Sequence, residues 1–146
     1  MKLKKLRLLN AVLVLTGAAI IFLSLNVGLG GIRTLGWQGS QDFLNVTDLA
    51  AFLTRDSHVR FIGGVWFGVG ALFMAGGFAL EKLRQTLIAL CAVIAFAGLF
   101  RLSALNMDTI LSAAIAPSMI LEFLGFPLLA VWLVRTRPDI ANPSVV

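Results

Sequence analysis

Charged and chemically reactive side chains are scarce in this sequence. Charged residues make up 13% of its 146 positions, and it contains one histidine and one cysteine. The single cysteine, Cys91, cannot form an intrachain disulfide or a thiolate metal cluster. The single histidine, His58, cannot supply an H-E-x-x-H zinc motif. We therefore predict no metal and no cofactor, and the sequence does not favour an enzyme.

Hydrophobic residues, by contrast, are in excess. They make up 59% of the chain, and the mean hydropathy is +0.95. A soluble domain is about 45–50% apolar and about 25% charged. Because so few charges could not cover a water-facing surface around a core of this size, the composition predicts an integral membrane protein. The length fits a single domain, residues 1–146.

The apolar residues form long runs. A membrane-spanning helix needs about 20 mostly apolar residues, and four segments meet that requirement: 8–29, 61–80, 87–105 and 110–134. The first run exceeds the roughly 7–15 residues of a signal-peptide core, so we expect it to be retained as a helix. Short connections join the last three segments. The predicted fold is all-α, a polytopic membrane protein whose four helices form an antiparallel bundle.

The basic residues lie beside these runs. Eight of the twelve form three clusters: Lys2, Lys4, Lys5 and Arg7; Lys82 and Arg84; Arg135 and Arg137. Lysine and arginine are enriched in cytoplasmic flanks, so both termini are predicted to be cytoplasmic. The same clusters attract anionic membrane lipids. This distribution argues against nucleic acid as a partner, despite a net charge of +5.

The first connection is the only long one. Within it, Val46, Leu49, Ala50 and Leu53 follow the spacing of one helical face. We therefore predict a short amphipathic helix from Asp42 to Thr54 on the outer surface of the membrane. The second connection, 81–86, is short enough to make the second and third helices antiparallel neighbours.

The second helix carries a stripe of small residues: Gly64, Gly68, Ala71 and Ala75. Small residues let membrane helices approach closely, so the stripe is predicted to be a packing face. A sparser series on the first helix (Gly17, Ser24 and Gly28) is a candidate to face it.

Ionisable residues inside membrane segments are rare and usually face the bundle interior. Arg101 lies about 25 Å from the cytoplasmic boundary and Glu122 about 20 Å, at 1.5 Å per residue. That small depth difference predicts an ion pair between them. Pro117 and Pro127 are expected to kink the fourth helix and open space near Glu122.

The pair has two interpretations. In the first, Arg101 and Glu122 neutralise each other and fix the register of two helices. In the second, they line an outward-facing pocket together with Arg60, Asp56 and His58, which lie at the start of the second helix.

Three parts of the sequence resemble a bacterial family of four-helix membrane proteins that is catalogued only as a domain of unknown function. They are the segment from Asp56 to Gly64 (DSHVRFIGG), Phe100-Arg101-Leu102 and Glu122-Phe123. The resemblance covers nearly the whole chain. It implies a multi-pass protein of the bacterial inner membrane and brings no activity with it.

Three functions remain open at this point. The chain could bind a lipophilic small molecule or lipid, with the polar end at Arg60, Arg101 and Glu122. It could be an accessory or homo-oligomeric subunit that packs on a membrane partner through its small-residue stripe. It could also be a proton-coupled transporter or membrane enzyme that uses Glu122.

Overall fold

The computed structural model describes residues 2–34, 46–104, 108, 111–113 and 115–136. All regular structure in these ranges is helical. It comprises four long helices, α1 (Lys2–Gly30), α2 (Leu49–Phe78), α3 (Leu80–Arg101) and α4 (Ala116–Arg135), and two short 3₁₀ helices, Gly31–Arg33 and Leu102–Ala104. Each of the four long helices has the length and the apolar composition to cross a membrane. The predicted fold class is therefore confirmed, and the chain is a multi-pass membrane protein by the length and composition of its helices.

Contacts divide the chain into two compact units, Met1–Leu80 and Glu81–Val146. The first unit contains α1 and α2. The second contains α4 and, apart from its first residue, α3. The buried apolar side chains of the first unit include Leu9, Leu13 and Phe73, and those of the second include Leu87, Cys91, Ile94, Met119, Leu129 and Leu133.

Helix α2 begins much earlier than hydropathy alone predicts. Asp48 caps its N-terminus by accepting a hydrogen bond from the backbone N–H of Ala51 (3.1 Å), and the helix continues to Phe78. The prediction of a separate amphipathic helix is wrong for 49–54, which are the first turns of α2; positions 42–45 lie outside the described residues. The segment from 49 to 60 contains no glycine or proline, so nothing in it breaks the helix.

The connection predicted at 81–86 is also helical. Only Ala79 separates α2 from α3, and Glu81 lies in the first turn of α3. The polar residues of this segment are good helix formers, so they extend α3 toward its N-terminus. A negative charge in the first turn also interacts favourably with the helix dipole.

Helix α4 is irregular near its middle. Its two α-helical parts, Ala116–Ile120 and Phe126–Arg135, flank a π-helical turn, Leu121–Gly125. The N–H of Phe126 accordingly donates five residues back, to Leu121. Pro127 follows immediately; it has no N–H, and its ring crowds the carbonyl one turn earlier, which the wider turn accommodates.

Pro117 has a different position from the one expected. It lies in the first turn of α4, with Ile115 as the N-terminal cap. The N–H groups of a first turn have no partner within the helix, so proline is tolerated there. The prediction of a kink at Pro117 is therefore wrong.

Helices α1 and α2 pack through glycines. A Cβ at Gly63 would lie 2.5 Å from the backbone of Gly28, and a Cβ at Gly70 would lie 3.0 Å from the carbonyl oxygen of Gly17. A Cβ at Gly77 would lie 2.9 Å from the carbonyl oxygen of Asn10. These distances leave no room for a side chain. The three glycines of α2 recur every seven residues and form the face that contacts α1.

The predicted small-residue stripe lies on a different face of α2. Gly64, Gly68, Ala71 and Ala75 are exposed, and a Cβ at either glycine would meet no atom within 4 Å in the described residues. The expectation that this stripe faces α1 is wrong. Helix α2 thus carries two series of small residues. The glycines that recur every seven residues contact the small residues of α1, and the stripe that begins at Gly64 does not. That the stripe packs on another helix stays a prediction.

Candidate functional site

Asp56 and Arg60 form an ion pair on the first part of α2. They are four residues apart, on one face of the helix, and Arg60 Nε lies 2.6 Å from Asp56 Oδ2. The Asp56 side chain is 13% exposed and that of Arg60 is 44% exposed. The Asp56 side chain is therefore mostly covered, whereas its partner Arg60 is partly exposed.

Both residues bind the C-terminal end of α1. Arg60 Nη1 donates hydrogen bonds to the carbonyl oxygens of Leu29 and of Gly28 (3.4 Å). Asp56 Oδ1 accepts from the backbone N–H of Ile32, two residues past the end of α1, at 2.8 Å. The last four carbonyls of a helix have no partner within it, and a positive charge there interacts favourably with the helix dipole. Asp56 and Arg60 thus fasten the end of α1 to α2.

Gly31 makes this arrangement possible. Its φ of +70° lies in the left-handed region that side chains disfavour, and a Cβ there would collide with the carboxylate of Asp56. The chain therefore turns at Gly31 after the end of α1, where Gly31 packs directly against the Asp56 carboxylate.

His58 does not join this cluster. It is exposed, and its side chain makes no hydrogen bond or ion pair with any residue that the structure describes. Of the three polar residues that the sequence placed at this end of α2, Asp56 and Arg60 act together on α1 and His58 lies apart from them.

In the second unit, Arg101 and Glu122 are in contact as predicted. Arg101 Nε, at the end of α3, lies 3.1 Å from Glu122 Oε2 in the π-helical turn of α4. The side chain of Glu122 is only 10% exposed, whereas that of Arg101 is 45% exposed. The pair is thus one-sided: the acid is buried and the base reaches the surface.

The buried carboxylate is incompletely satisfied. Although 3.1 Å is short enough for charge pairing, Glu122 Oε2 accepts no hydrogen bond from the residues that the structure describes. Buried polar atoms almost always have a hydrogen-bond partner. Oε2 itself is fully enclosed, so the guanidinium of Arg101 supplies its compensating charge.

Gly98 provides the space for this carboxylate. A Cβ at position 98 would lie 3.0 Å from Glu122 Oε2 and 3.5 Å from Phe123 Cζ. Sequence reasoning did not single out Gly98. The available signal was its position three residues before Arg101, which places both on one face of α3.

An apolar groove adjoins the pair. It has a volume of about 400 Å³, and its walls include Cys91, Ala95, Phe96, Leu99, Phe123 and Pro127. Neither Arg101 nor Glu122 lines it, but Glu122 and the groove residue Phe123 both lie against Gly98, so the groove is close to the buried carboxylate. Ligand pockets are typically about 300–1,000 Å³, mostly apolar, with a few polar groups at one point.

Arg84 has a role that the sequence did not indicate. Its Nε donates to the carbonyl oxygen of Leu133 and its Nη2 to that of Val134, both at 2.7 Å. The sequence identified Arg84 only as a cytoplasmic flank. In the structure it caps the C-terminus of α4. The sequence does not show this contact, because it forms only when folding brings the start of α3 to that helix end.

The polar pairs of both units lie inside one family match. The family model described as "Domain of unknown function (DUF4345)" matches residues 8–133. The chain belongs to the DUF4345 family. This confirms the resemblance to a family without known function. No curated protein and no solved structure matches the chain.

Proposed function

We propose that the second unit binds a lipophilic small molecule or lipid, with its polar end at Arg101 and Glu122 and its apolar part in the adjoining groove. The observation that supports this proposal is an ion pair with a half-exposed arginine, Arg101, and a nearly buried glutamate, Glu122, close to an apolar groove of about 400 Å³. Arg60, Asp56 and His58 are outside this proposed site, because the first two hold the end of α1 and the third is exposed.

Arg101 supplies the accessible polar part of the proposed site. Its side chain is 45% exposed, so the guanidinium can meet a polar headgroup while it stays paired with Glu122.

The groove supports an apolar chain as the other part of the ligand. Its lining combines two aromatic rings, Phe96 and Phe123, with small side chains such as Ala95, and only apolar atoms face it. A hydrocarbon chain or flat ring system loses no hydrogen bonds there. The molecule proposed is therefore amphiphilic, with one polar end.

We further propose that the protein lies in the bacterial inner membrane with both termini cytoplasmic. The support is the asymmetry of the basic residues, which cluster at Lys2–Arg7, at Lys82 and Arg84 near the start of α3, and at Arg135 and Arg137 near the C-terminus of the sequence. In this orientation Arg101, at the far end of α3 from Arg84, lies toward the outer surface.

Native mass spectrometry of the full chain in a mild detergent tests the binding proposal. Ala95→Phe should fill the groove and remove a co-purified lipid adduct seen in the wild type. Ala97→Phe is the matched control, because Ala97 is exposed on the same helix and does not line the groove. Loss of the adduct in both variants, or in neither, would contradict the proposed site.

A second function is supported by the exposed stripe on α2, with its open space at Gly64 and Gly68. Such a face suits a partner helix or a second copy of the chain. Gly68→Leu should then dissociate a complex that Val65→Leu leaves intact, as read by cross-linking in membranes. Equal cross-linking in both variants would remove this candidate.

A further inference from the structure

The first unit has a polar surface of its own at the end of α1. Phe52, Asp56 and Arg60 are spaced four residues apart, so they lie along one face of α2. Arg33 belongs to the 3₁₀ helix that follows α1, and its guanidinium carbon lies 5.3 Å from the centre of the Phe52 ring. The charge of Arg33 is also close enough to act on the Asp56 carboxylate. Two arginines from different segments thus lie around one carboxylate.

The positive charge of Arg33 is unmatched in this cluster of Arg33, Asp56 and Arg60. Both oxygens of Asp56 are already used, since Oδ1 accepts from a backbone N–H and Oδ2 pairs with Arg60. Asp48 and Arg55, exposed on the same part of α2, carry opposite charges and leave the balance unchanged. The cluster therefore has two positive charges against one negative charge, and it complements an anion with a single charge.

The two guanidinium groups also have unused donors. Arg60 uses Nε for Asp56 and Nη1 for carbonyls at the end of α1, and its Nη2 has no hydrogen-bond partner among the described residues. The side chain of Arg33 makes no hydrogen bond or ion pair within that part of the chain, so its five N–H donors are all available there. Contact with the Phe52 ring holds this cation in place. Guanidinium groups bind phosphate through paired hydrogen bonds.

The surface lies at the depth of lipid headgroups. The uncharged part of α2, from Phe61 to Phe78, is about 27 Å long at 1.5 Å per residue, close to the roughly 30 Å of a hydrocarbon core. Arg60 is therefore at the boundary of the core, and Phe52 is about 12 Å farther along the helix. Beside Arg60, Leu29 and Phe61 are 75% and 73% exposed, as expected for side chains that contact acyl chains.

We propose that Arg33 and Arg60 bind the phosphate of a phospholipid whose headgroup has one net negative charge, with its acyl chains beside Leu29 and Phe61. Charge complementarity requires an anion, and the phosphodiester is the common anion at the depth of the headgroups. The exposed apolar side chains next to the arginines favour a lipid over free phosphate. This site belongs to the first unit and does not depend on the groove of the second unit.

Photolabelling of the purified full chain in mild detergent tests the proposal. The probes are a phosphatidylglycerol and a diacylglycerol with the same acyl chains, each with a diazirine near the headgroup end of one chain. Labelled residues are mapped by peptide mass spectrometry as each probe is titrated. We expect the phosphatidylglycerol to label Leu29 or Phe61 at a concentration at least about tenfold lower than the diacylglycerol does, because it alone accepts charged hydrogen bonds.

Variants at position 33 test whether these contacts are specific. Arg33→Gln should weaken labelling by the phosphatidylglycerol about tenfold, because one charge and its donors to the phosphate are lost. Arg55→Gln is the matched control, since Arg55 is exposed on the same part of α2 but lies off the face of Phe52, Asp56 and Arg60. Arg33→Lys keeps the charge and should recover only part, because an ammonium lacks the planar fork.

Three results would overturn the proposal. The first is equal labelling of Leu29 and Phe61 by the two probes. The second is an equal loss in Arg33→Gln and Arg55→Gln, which would show only a general attraction to basic side chains. The third concerns the source of the phosphate: if sodium phosphate suppresses labelling more than sodium chloride at the same ionic strength, free phosphate is the ligand. Position 33 is used because Arg60 also holds the end of α1, so its loss would affect folding.

Discussion

Arg60 of α2 donates a hydrogen bond to the carbonyl oxygen of Leu29, one residue before the end of α1. The second unit contains the same type of contact, because Arg84 of α3 donates to the carbonyl oxygens of Leu133 and Val134 at the end of α4. In each unit an arginine from one helix thus supplies donors to the C-terminus of the other. These carbonyls have no donor within their own helices.

Removal of the contacts at the end of α1 should destabilise the first unit. Asp56→Ala loses both the acceptor for Ile32 and the ion pair with Arg60, and should lower the free energy of unfolding by about 1–3 kcal/mol. Asp56→Asn keeps an acceptor oxygen, so its effect should be smaller. Thermal unfolding in detergent measures both. His58→Ala is the control, and a similar loss there would show that the effect is not specific to this contact.

Removal of the Arg84 side chain should destabilise the C-terminal end of α4. Arg84→Ala removes two hydrogen bonds to the last turn and should cost about 1–2 kcal/mol of stability. Arg84→Lys should recover only part, since an ammonium lacks the planar fork of the guanidinium. Hydrogen exchange of the amides in 130–135 reports the fraying directly. Lys82→Ala should leave the exchange unchanged, because Lys82 is exposed two residues away.

The two glycine faces of α2 should respond oppositely to a methyl group. Gly70→Ala places a Cβ 2.9 Å from the backbone of Ile21, so the two helices must separate, at a cost of about 1–3 kcal/mol. Gly68→Ala meets open space, and its monomer stability should be unchanged or slightly higher. Thermal unfolding of the two purified variants is the measurement. Equal destabilisation would mean that α1 does not lie on the Gly70 face.

The ion pair of the second unit should give asymmetric single variants. Arg101→Leu leaves the buried carboxylate of Glu122 uncompensated and should cost about 3–5 kcal/mol. Glu122→Gln leaves an arginine that is nearly half exposed, so it should cost less. The double variant should recover much of the larger loss, with a coupling of about 1–3 kcal/mol. Strict additivity of the two single effects would show that the residues are not coupled.

Reporter fusions test the orientation. Alkaline phosphatase fused after residue 136 should be inactive, because that end is proposed to be cytoplasmic. The same enzyme inserted between Val46 and Thr47 should be active. The reverse pattern of activity would place Arg101 toward the cytoplasm instead of the outer surface.

The sequence predicted the helices well but not where they begin and end. Hydropathy located four apolar runs because the membrane imposes a minimum length on each. It missed the first turns of α2 and α3, since charged residues such as Arg55 and Lys82 lower hydropathy without weakening a helix. Helix boundaries depend on capping and on breakers, and Asp48 was the signal for α2.

The candidate site was predictable in part. Helical rise was sufficient to bring Arg101 and Glu122 to similar depths, and they are in contact. The roles of Arg60 and Arg84 were not predictable, because each contacts backbone carbonyls that carry no sequence signal. Nor could the sequence show which glycines of α2 meet α1.

The two arginine caps differ in the order in which the ribosome makes their parts. In the first unit, the carbonyl of Leu29 is synthesised 31 residues before Arg60, a delay of about 2–6 s at ordinary elongation rates of about 5–20 residues per second. In the second unit, Arg84 precedes Leu133 by 49 residues, or about 2–10 s. In the first unit the helix end is thus synthesised before its arginine, whereas in the second unit the arginine is synthesised before its helix end. A nascent chain halted before position 133 would contain a finished first cap and an arginine at position 84 without its acceptors.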